Sequence, residues 1–190
     1  MTTSVDTTRF IVGSIARTAV ENEEEFGDLD AVVGDGDFGF SLARGFEKVL
    51  EDLDAFPADD AGTFLWSVAN TISSRIGGTS GPIWGTAFFR AAMVAKGKAT
   101  LTSADAVEML RASVTGIQAR GKANLGDKTL LDALVPAIDE LELAADEGAD
   151  SQSIVDRVAR ATRTAAEATS ALQAMRGRAS YTGARSIGSP

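Results

Sequence analysis

The chain has 190 residues, 44% of them hydrophobic, which is enough for one substantial core, and it is expected to form a single domain spanning 1–190. Its formal net charge of −9 argues against nucleic acid or an anionic membrane as partner, because both attract basic surfaces. With no Cys and no His there is no disulfide, thiolate nucleophile, zinc–sulfur or histidine metal site, Ser-His-Asp triad or phosphohistidine on this chain.

The first ten residues are polar and lack the apolar run of a signal peptide, and no stretch of about 20 apolar residues occurs, so a soluble, cytoplasmic protein is expected. From Thr7 to Glu24, Ile11, Ile15 and Ala19 recur at helical spacing, and the Glu21 to Glu25 charge run closes this first predicted helix.

The stretch Leu29-Asp30-Ala31-Val32-Val33-Gly34-Asp35-Gly36-Asp37-Phe38-Gly39 concentrates charge and glycine. Two unit charges about 4 Å apart repel by roughly 1 kcal/mol in water and roughly 4 kcal/mol at an effective dielectric near 20, so a folded loop holding Asp30, Asp35 and Asp37 together calls for a cation. Oxygen-only ligands point to Mg²⁺ or a similar hard ion. Gly34, Gly36 and Gly39 permit positive φ or close approach to a ligand. The plain alternative is a solvated acidic turn, since Asp and Gly are ordinary turn residues.

Leu42, Phe46, Val49, Leu50 and Leu53 trace a second helix starting at Gly39, which puts a positive dipole end beside the aspartate loop. After a break at Pro57 and Asp59-Asp60, Leu65, Val68, Ala69 and Ile72 predict a third helix ending near Arg75. The cluster Gly77-Gly78-Thr79-Ser80-Gly81-Pro82 then feeds a fourth, carried by Trp84, Ala87, Phe88, Ala91 and Ala95. A glycine loop leading into a helix N-terminus is a ready anion site, and its alternative is a simple connection.

Ser103 is a candidate cap for a fifth helix with Ala106, Met109, Leu110, Val114 and Ile117, stopping near Gly121. Asp127 precedes a sixth, with Leu130, Leu131, Leu134, Ile138 and Leu141 on one face and Pro136 inside it. Asp132 on that helix reads as solvated or as an acid supporting the site. Ser151 or Ser153 opens a seventh from Ile154 to about Met175, with Ala161, Ala165 and Ala168 on a close-packing face and Gly177 as its stop. The remaining tail has no period. Without any alternating strand pattern the fold class is all-α.

Three look-alikes fail on inspection. Gly116-x4-Gly121-Lys122-Ala123 lacks the hydroxyl a P-loop needs after its Lys and follows a helix. Asp37-Phe38-Gly39 resembles the metal-binding triplet of protein kinases, but their His-Arg-Asp loop is impossible here. A calcium loop counted from Asp35 would need a bidentate Glu where Phe46 stands.

In order along the chain, Leu29-Asp30, Gly34-Asp35-Gly36-Asp37-Phe38-Gly39, Gly77-Gly78-Thr79-Ser80-Gly81, Gly126-Asp127-Lys128-Thr129, Gly177-Arg178-Ala179-Ser180 and Arg185-Ser186-Ile187-Gly188 resemble the nucleotide-binding subunit of dihydroxyacetone kinases. The resemblance implies an antiparallel barrel of about seven to eight amphipathic helices, with ADP or ATP and two Mg²⁺ at one loop-bearing end. It assigns Asp30, Asp35 and Asp37 to the metals. It places Phe38, Gly39, Phe40, Ser41, Gly78, Thr79, Ser80, Gly121, Leu130 and Arg178 around the nucleotide. The family usually has His where this chain has Phe38, and it usually continues past Ser-Ile-Gly with Asp-Pro-Gly-Ala and a last helix, which implies an altered far wall here.

The implied function is phosphoryl transfer to dihydroxyacetone or a similar small ketose. In the family the sugar sits on a separate sugar-binding kinase subunit or domain, so this chain is expected to be a phosphotransferase subunit inactive on sugar without its partner. The resemblance leaves the donor open between ATP and a phosphohistidine phosphotransferase protein recharging bound ADP. The alternative function is a non-catalytic module that senses ADP or ATP.

Overall fold

The computed structural model describes residues 3–190, and among them every regular element is helical. The α-helices are α1 (Ser4–Glu21), α2 (Glu23–Ala31), α3 (Phe38–Asp52), α4 (Ala61–Arg75), α5 (Ser80–Ala95), α6 (Ser103–Gly121), α7 (Leu131–Asp146) and α8 (Ser151–Ala168). Two 3-10 segments follow, Thr169–Ala171 and Arg178–Ser186. No helix among the described residues is long and apolar enough to cross a membrane. The chain falls into two compact units, one ending at Arg120 and the other running Gly121–Pro190.

The core of the first unit is built from the apolar faces of α3 and α4. Phe46 and Val49 of α3 and Phe64, Val68 and Ile72 of α4 are fully buried, joined by Val12 of α1. Trp84 and Phe88 of α5 meet Phe46 edge-on at centroid distances of 6.5 and 6.4 Å, an arrangement that aligns ring edge with ring face. Helix α5 closes on α4 because Gly85 has no side chain: a Cβ there would stand 1.8 Å from Ser73 Oγ. Gly116 does the same for α6, where a Cβ would stand 2.6 Å from Arg90 Cγ, and the Ser113 hydroxyl donates to the Ala87 carbonyl at 2.7 Å. Gly116 and Gly121 both lie in α6, and Gly116 is a packing residue.

Helix α1 turns a different face inward from the one its isoleucines suggest. It starts at Ser4 behind a reciprocal cap between Thr3 and Asp6, and it buries Thr8, Val12, Gly13, Ala16 and Ala19. Ile11 and Ile15 are 51% and 40% exposed. The helix carries two apolar stripes, and the one with smaller residues lets its backbone come closer to its neighbours: a Cβ on Gly13 would lie 3.2 Å from Leu53 Cδ2. The Glu21 to Glu25 run is not simply a helix end. A new helix, α2, opens at Glu23 with three glutamates in its first turn, where the helix dipole favours anions, and Phe26 packs half-buried against the core.

Cap positions shift by one residue from expectation. Thr102 caps α6, accepting from the Asp105 N–H at 3.2 Å while Asp105 accepts from the Thr102 N–H at 2.7 Å. Asp150 caps α8 through the N–H groups of Gln152 and Ser153, both at 3.0 Å. Helix α8 stops at Ala168, short of Met175, because the Thr169 hydroxyl bonds back to the Ala166 carbonyl and the chain tightens into a 3-10 turn.

In the second unit α7 and α8 pack together, with Arg157 of α8 paired to Glu140 of α7 and to Glu147, the C-cap residue just past it. Leu131 and Ile138 of α7 are fully buried, and Pro136 lies within the helix. The tail, aperiodic in sequence, is nevertheless ordered by polar contacts: Ser186 is fully buried and its hydroxyl accepts from the Ala174 N–H at 2.9 Å.

Candidate functional site

Asp30 occupies the last turn of α2, Asp35 the connecting turn and Asp37 the N-cap of α3. One carboxylate oxygen from each lies within 4.8 Å of the others. Asp30 is half-buried, whereas Asp35 and Asp37 are exposed. The backbone shapes this cluster: Gly36, at φ 75°, donates its N–H to Asp30 Oδ2 at 2.8 Å, and the Gly34 N–H bonds to the Asp30 carbonyl at 2.6 Å. A Cβ on Gly34 would stand 2.3 Å from Asp30 Oδ1. On Gly39 it would stand 1.9 Å from the Glu23 carbonyl and 2.6 Å from the Gly27 nitrogen, so only glycine lets the first turn of α3 pass this close to α2.

This donor set fits a hard divalent cation. All three side chains offer oxygen, and opposite corners of an Mg²⁺ octahedron are about 4.2 Å apart, the scale of the observed cluster. A shallow recess beside it, lined by Glu21, Glu24, Glu25 and Asp28, adds acid without joining the cluster.

The other expected site residues of the first unit sit as follows. Phe38, standing where the resemblance expects His, is half-buried against the core and so serves packing. Gly39 is buried in the α2–α3 contact. Phe40 is exposed, with the Arg44 guanidinium 5.0 Å above its ring. Ser41, in the first turn of α3, places its Oγ 3.9 Å from where a Cβ of Gly77 would be, so this turn and the second glycine cluster are neighbours. Gly78 has φ 62° with open space around it, Thr79 is exposed at the N-cap of α5, and Ser80 is half-buried at its first residue. Neither Asp37 nor Thr79 closes its helix with a side-chain cap, which leaves two helix N-termini suited to anions.

Gly121, Leu130 and Arg178 belong to the second unit. Gly121 ends α6, Leu130 is the half-buried N-cap of α7, and Arg178 opens the last 3-10 segment after Gly177 at φ 63°. Around them the structure gives Asp132, read from sequence as solvated or as a supporting acid, a defined place, and it reveals roles for Asp127 and Lys128 that sequence reasoning did not separate. Asp132 ties down the loop before α7, accepting from the Gly126 N–H at 2.6 Å and the Thr129 N–H at 2.7 Å. The Asp127 carboxylate accepts from the Asn124 N–H and from Arg176 Nε, both at 2.9 Å, and these partners hold it below the usual carboxylate range, the Asn124 N–H most strongly. Lys128 adopts φ 58° and donates to the carbonyls of Leu172, Ser186 and Ser189. For Asp127 and Lys128 the signal was the Gly126-Asp127-Lys128-Thr129 motif.

The DAK2 domain family model matches residues 32–190, a span that takes in Asp35 and Asp37 and crosses both units. The PEP-dependent dihydroxyacetone kinase, ADP-binding subunit DhaL, of Escherichia coli K12 is 39% identical over 160 residues, covering 84% of this chain and 76% of that protein. The PTS-dependent counterpart of Lactococcus lactis is 32% identical over 185 residues, covering 97% and 88%. Among solved structures, the dihydroxyacetone kinase of C. freundii in complex with AMP-PNP and Mg²⁺ superposes with a TM-score of 0.74 at 24% identity, over 92% of this chain and 31% of that one. This chain therefore spans about a third of that enzyme, and the likeness shows a shared fold. On the match across most of its length and on these relatives, the chain belongs to the DAK2 domain family.

Proposed function

We propose that this chain is the nucleotide-binding subunit of a cytoplasmic kinase for dihydroxyacetone or a similar small ketose, with residues 1–190 acting as one domain. The observation that carries the reading is the convergence of Asp30, Asp35 and Asp37 carboxylates within 4.8 Å, at the uncapped N-terminus of α3. The names of the relatives support it: two that this chain covers over three quarters or more of their length are ADP-binding subunits, and the C. freundii enzyme was solved with AMP-PNP and Mg²⁺.

In this reading Asp30, Asp35 and Asp37 hold two Mg²⁺, which neutralise charge on the nucleotide phosphates. Thr79 and Ser80 offer hydroxyls to phosphate oxygens beside the N-terminal dipole of α5. Phe38, Gly39, Phe40, Ser41, Gly78 and Gly121 complete the surroundings of the nucleotide, Leu130 gives the base an apolar wall, and Arg178 supplies a planar fork for phosphate. Phosphoryl transfer can proceed by positioning and electrostatics, so these residues need no histidine of their own. The acceptor sugar and any base near its hydroxyl come from a sugar-binding partner subunit. The PEP- and PTS-dependent relatives favour a phosphohistidine protein over free ATP as the donor that recharges bound ADP.

The test has two arms. Calorimetric titration with Mg·ADP is expected to show binding by the chain alone, and its absence overturns the nucleotide assignment. A coupled assay for dihydroxyacetone phosphate, with ATP or a phosphorylated carrier, is expected to show turnover only with a sugar-binding subunit. Robust turnover by the isolated chain overturns the half-enzyme reading, and binding without turnover under any pairing favours an ADP/ATP-sensing module.

A further inference from the structure

The segment from Leu172 to Ser189 contains Arg178 and has little apolar burial to hold it: between Gln173 and Pro190 only Ala174 and Ser186 are buried. It also contains three glycines at positive φ, Gly177 at 63°, Gly183 at 58° and Gly188 at 112°, which are pivots that a side chain would stiffen. Both ends of the segment converge on one ammonium. Lys128 Nζ donates to the Leu172 carbonyl at 3.2 Å, to the Ser189 carbonyl at 2.6 Å and to the Ser186 carbonyl.

The chemistry of that contact is specific to lysine. An ammonium has three donors and no acceptor, and here three carbonyls take them, whereas a planar guanidinium cannot point at three acceptors gathered round one atom. The backbone of Lys128 is at φ 58°, a conformation glycine adopts more easily, so a side chain is kept at a position where its absence would relax the chain. The next residue back reinforces the same tie: the Met175 N–H bonds to the Asp127 carbonyl at 3.0 Å, and Asp127 holds Arg176.

We infer that Lys128 is the positioning residue for the Arg178 segment: its ammonium gathers the carbonyls at both ends of Leu172–Ser189 and thereby sets the shape in which that segment meets a nucleotide. This rests on the reading of Arg178 as a nucleotide contact. Lys128 acts through the segment, so its loss lowers nucleotide affinity while sparing the aspartate cluster.

The experiment compares the full-length parent with Lys128→Met, Lys128→Gly and Lys128→Arg. Three quantities are read: Mg·ADP affinity by calorimetry, binding of Mn²⁺ alone by electron paramagnetic resonance, and the rate of tryptic cleavage after Arg178 and Arg185. The expected result is at least tenfold weaker Mg·ADP binding and faster cleavage at both arginines in all three variants, with Mn²⁺ binding and helical circular dichroism unchanged. Added n-butylammonium is expected to restore part of the affinity to Lys128→Gly and none to the parent. Parental Mg·ADP affinity in Lys128→Gly overturns the inference, as does faster cleavage without loss of affinity. Loss of helicity and Mn²⁺ binding together with affinity, unrepaired by n-butylammonium, also overturns it by showing a general folding role. If the parent itself fails to bind Mg·ADP, the proposed function falls, and the cleavage pattern alone decides whether Lys128 holds the segment.

Discussion

The aspartate turn of the first unit and the lysine-tied tail of the second solve opposite electrostatic problems. In the turn, Asp30, Asp35 and Asp37 bring like charges within 4.8 Å, held there by glycines that let α2 and α3 touch. In the tail, one positive charge gathers neutral carbonyls, and three of them match the three N–H bonds of an ammonium. In the proposed function the first arrangement would be completed by a cation that arrives from solution, whereas the lysine tie is complete on its own. A binding site is thus marked by groups whose mutual interaction is unfavourable until a ligand comes, and a structural tie by groups that satisfy one another.

The strongest way to break the comparison is to neutralise one acid. Asp37→Asn is expected to weaken Mg·ADP binding by at least 100-fold, about 2.7 kcal/mol by the affinity relation, as measured by calorimetry. The stability of the metal-free variant should stay within about 1 kcal/mol of the parent, since relief of repulsion offsets the lost favourable charge at the α3 N-terminus. Equal Mg·ADP affinity in parent and variant would remove the metal role from this residue.

The next effect comes from the glycines that build the turn. Gly39→Ala forces a Cβ against the backbone of Glu23 and Gly27, and neither can move aside alone. Thermal unfolding should report a loss of about 1–3 kcal/mol, typical of overpacking, together with weaker Mg²⁺ binding. Gly78→Ala, at φ 62° with nothing within 4 Å, should cost only about 1 kcal/mol, the penalty of the left-handed backbone alone.

Acid should loosen the tail. Asp127 has its carboxyl held low in the folded chain by the Asn124 N–H and Arg176, so its contribution to stability is full above the unfolded value of 3.8 and disappears as pH falls through the lower folded value. Asp60, held low by the N–H groups of Thr63 and Gly97, follows the same sign in the first unit. Unfolding curves from pH 7 to pH 2 are expected to be flat down to about pH 4 and to fall below it. Asp127→Asn should flatten part of that fall, and an unchanged slope would mean that Asp127 does not contribute. The smallest effect is expected for Arg176→Ala, because its partly exposed pairing with Asp127 is screened by water; chemical denaturation measures it.

Much of the aspartate turn could be read directly because its chemistry lies within eight residues of sequence, and the start of α3 and the end of α4 at Arg75 followed from apolar spacing. Helix α2 was missed because Glu23 to Asp28 has no apolar period, and its anchor is one half-buried Phe26 together with backbone contacts at Gly27 and Gly39. The buried face of α1 was only partly assigned: Ala19 is buried as expected, but size, which sets how closely helices approach, selected Val12 and Ala16 over Ile11 and Ile15. The role of Lys128 was invisible because its acceptors lie 44, 58 and 61 residues away, beyond the reach of any local pattern.

Helix α2 has no fully buried residue and no side-chain cap, the marks of an element that opens at low free-energy cost. Asp30 is carried on its last turn, so in the proposed metal role each opening of α2 would take one ligand away from the other two. The observed dissociation constant for a divalent ion then equals the intrinsic one divided by the fraction of time α2 is closed. A substitution far from the acids that stiffens this nine-residue helix will tighten metal binding without touching a ligand, and hydrogen exchange across Glu23–Ala31 should slow in step with the ion concentration.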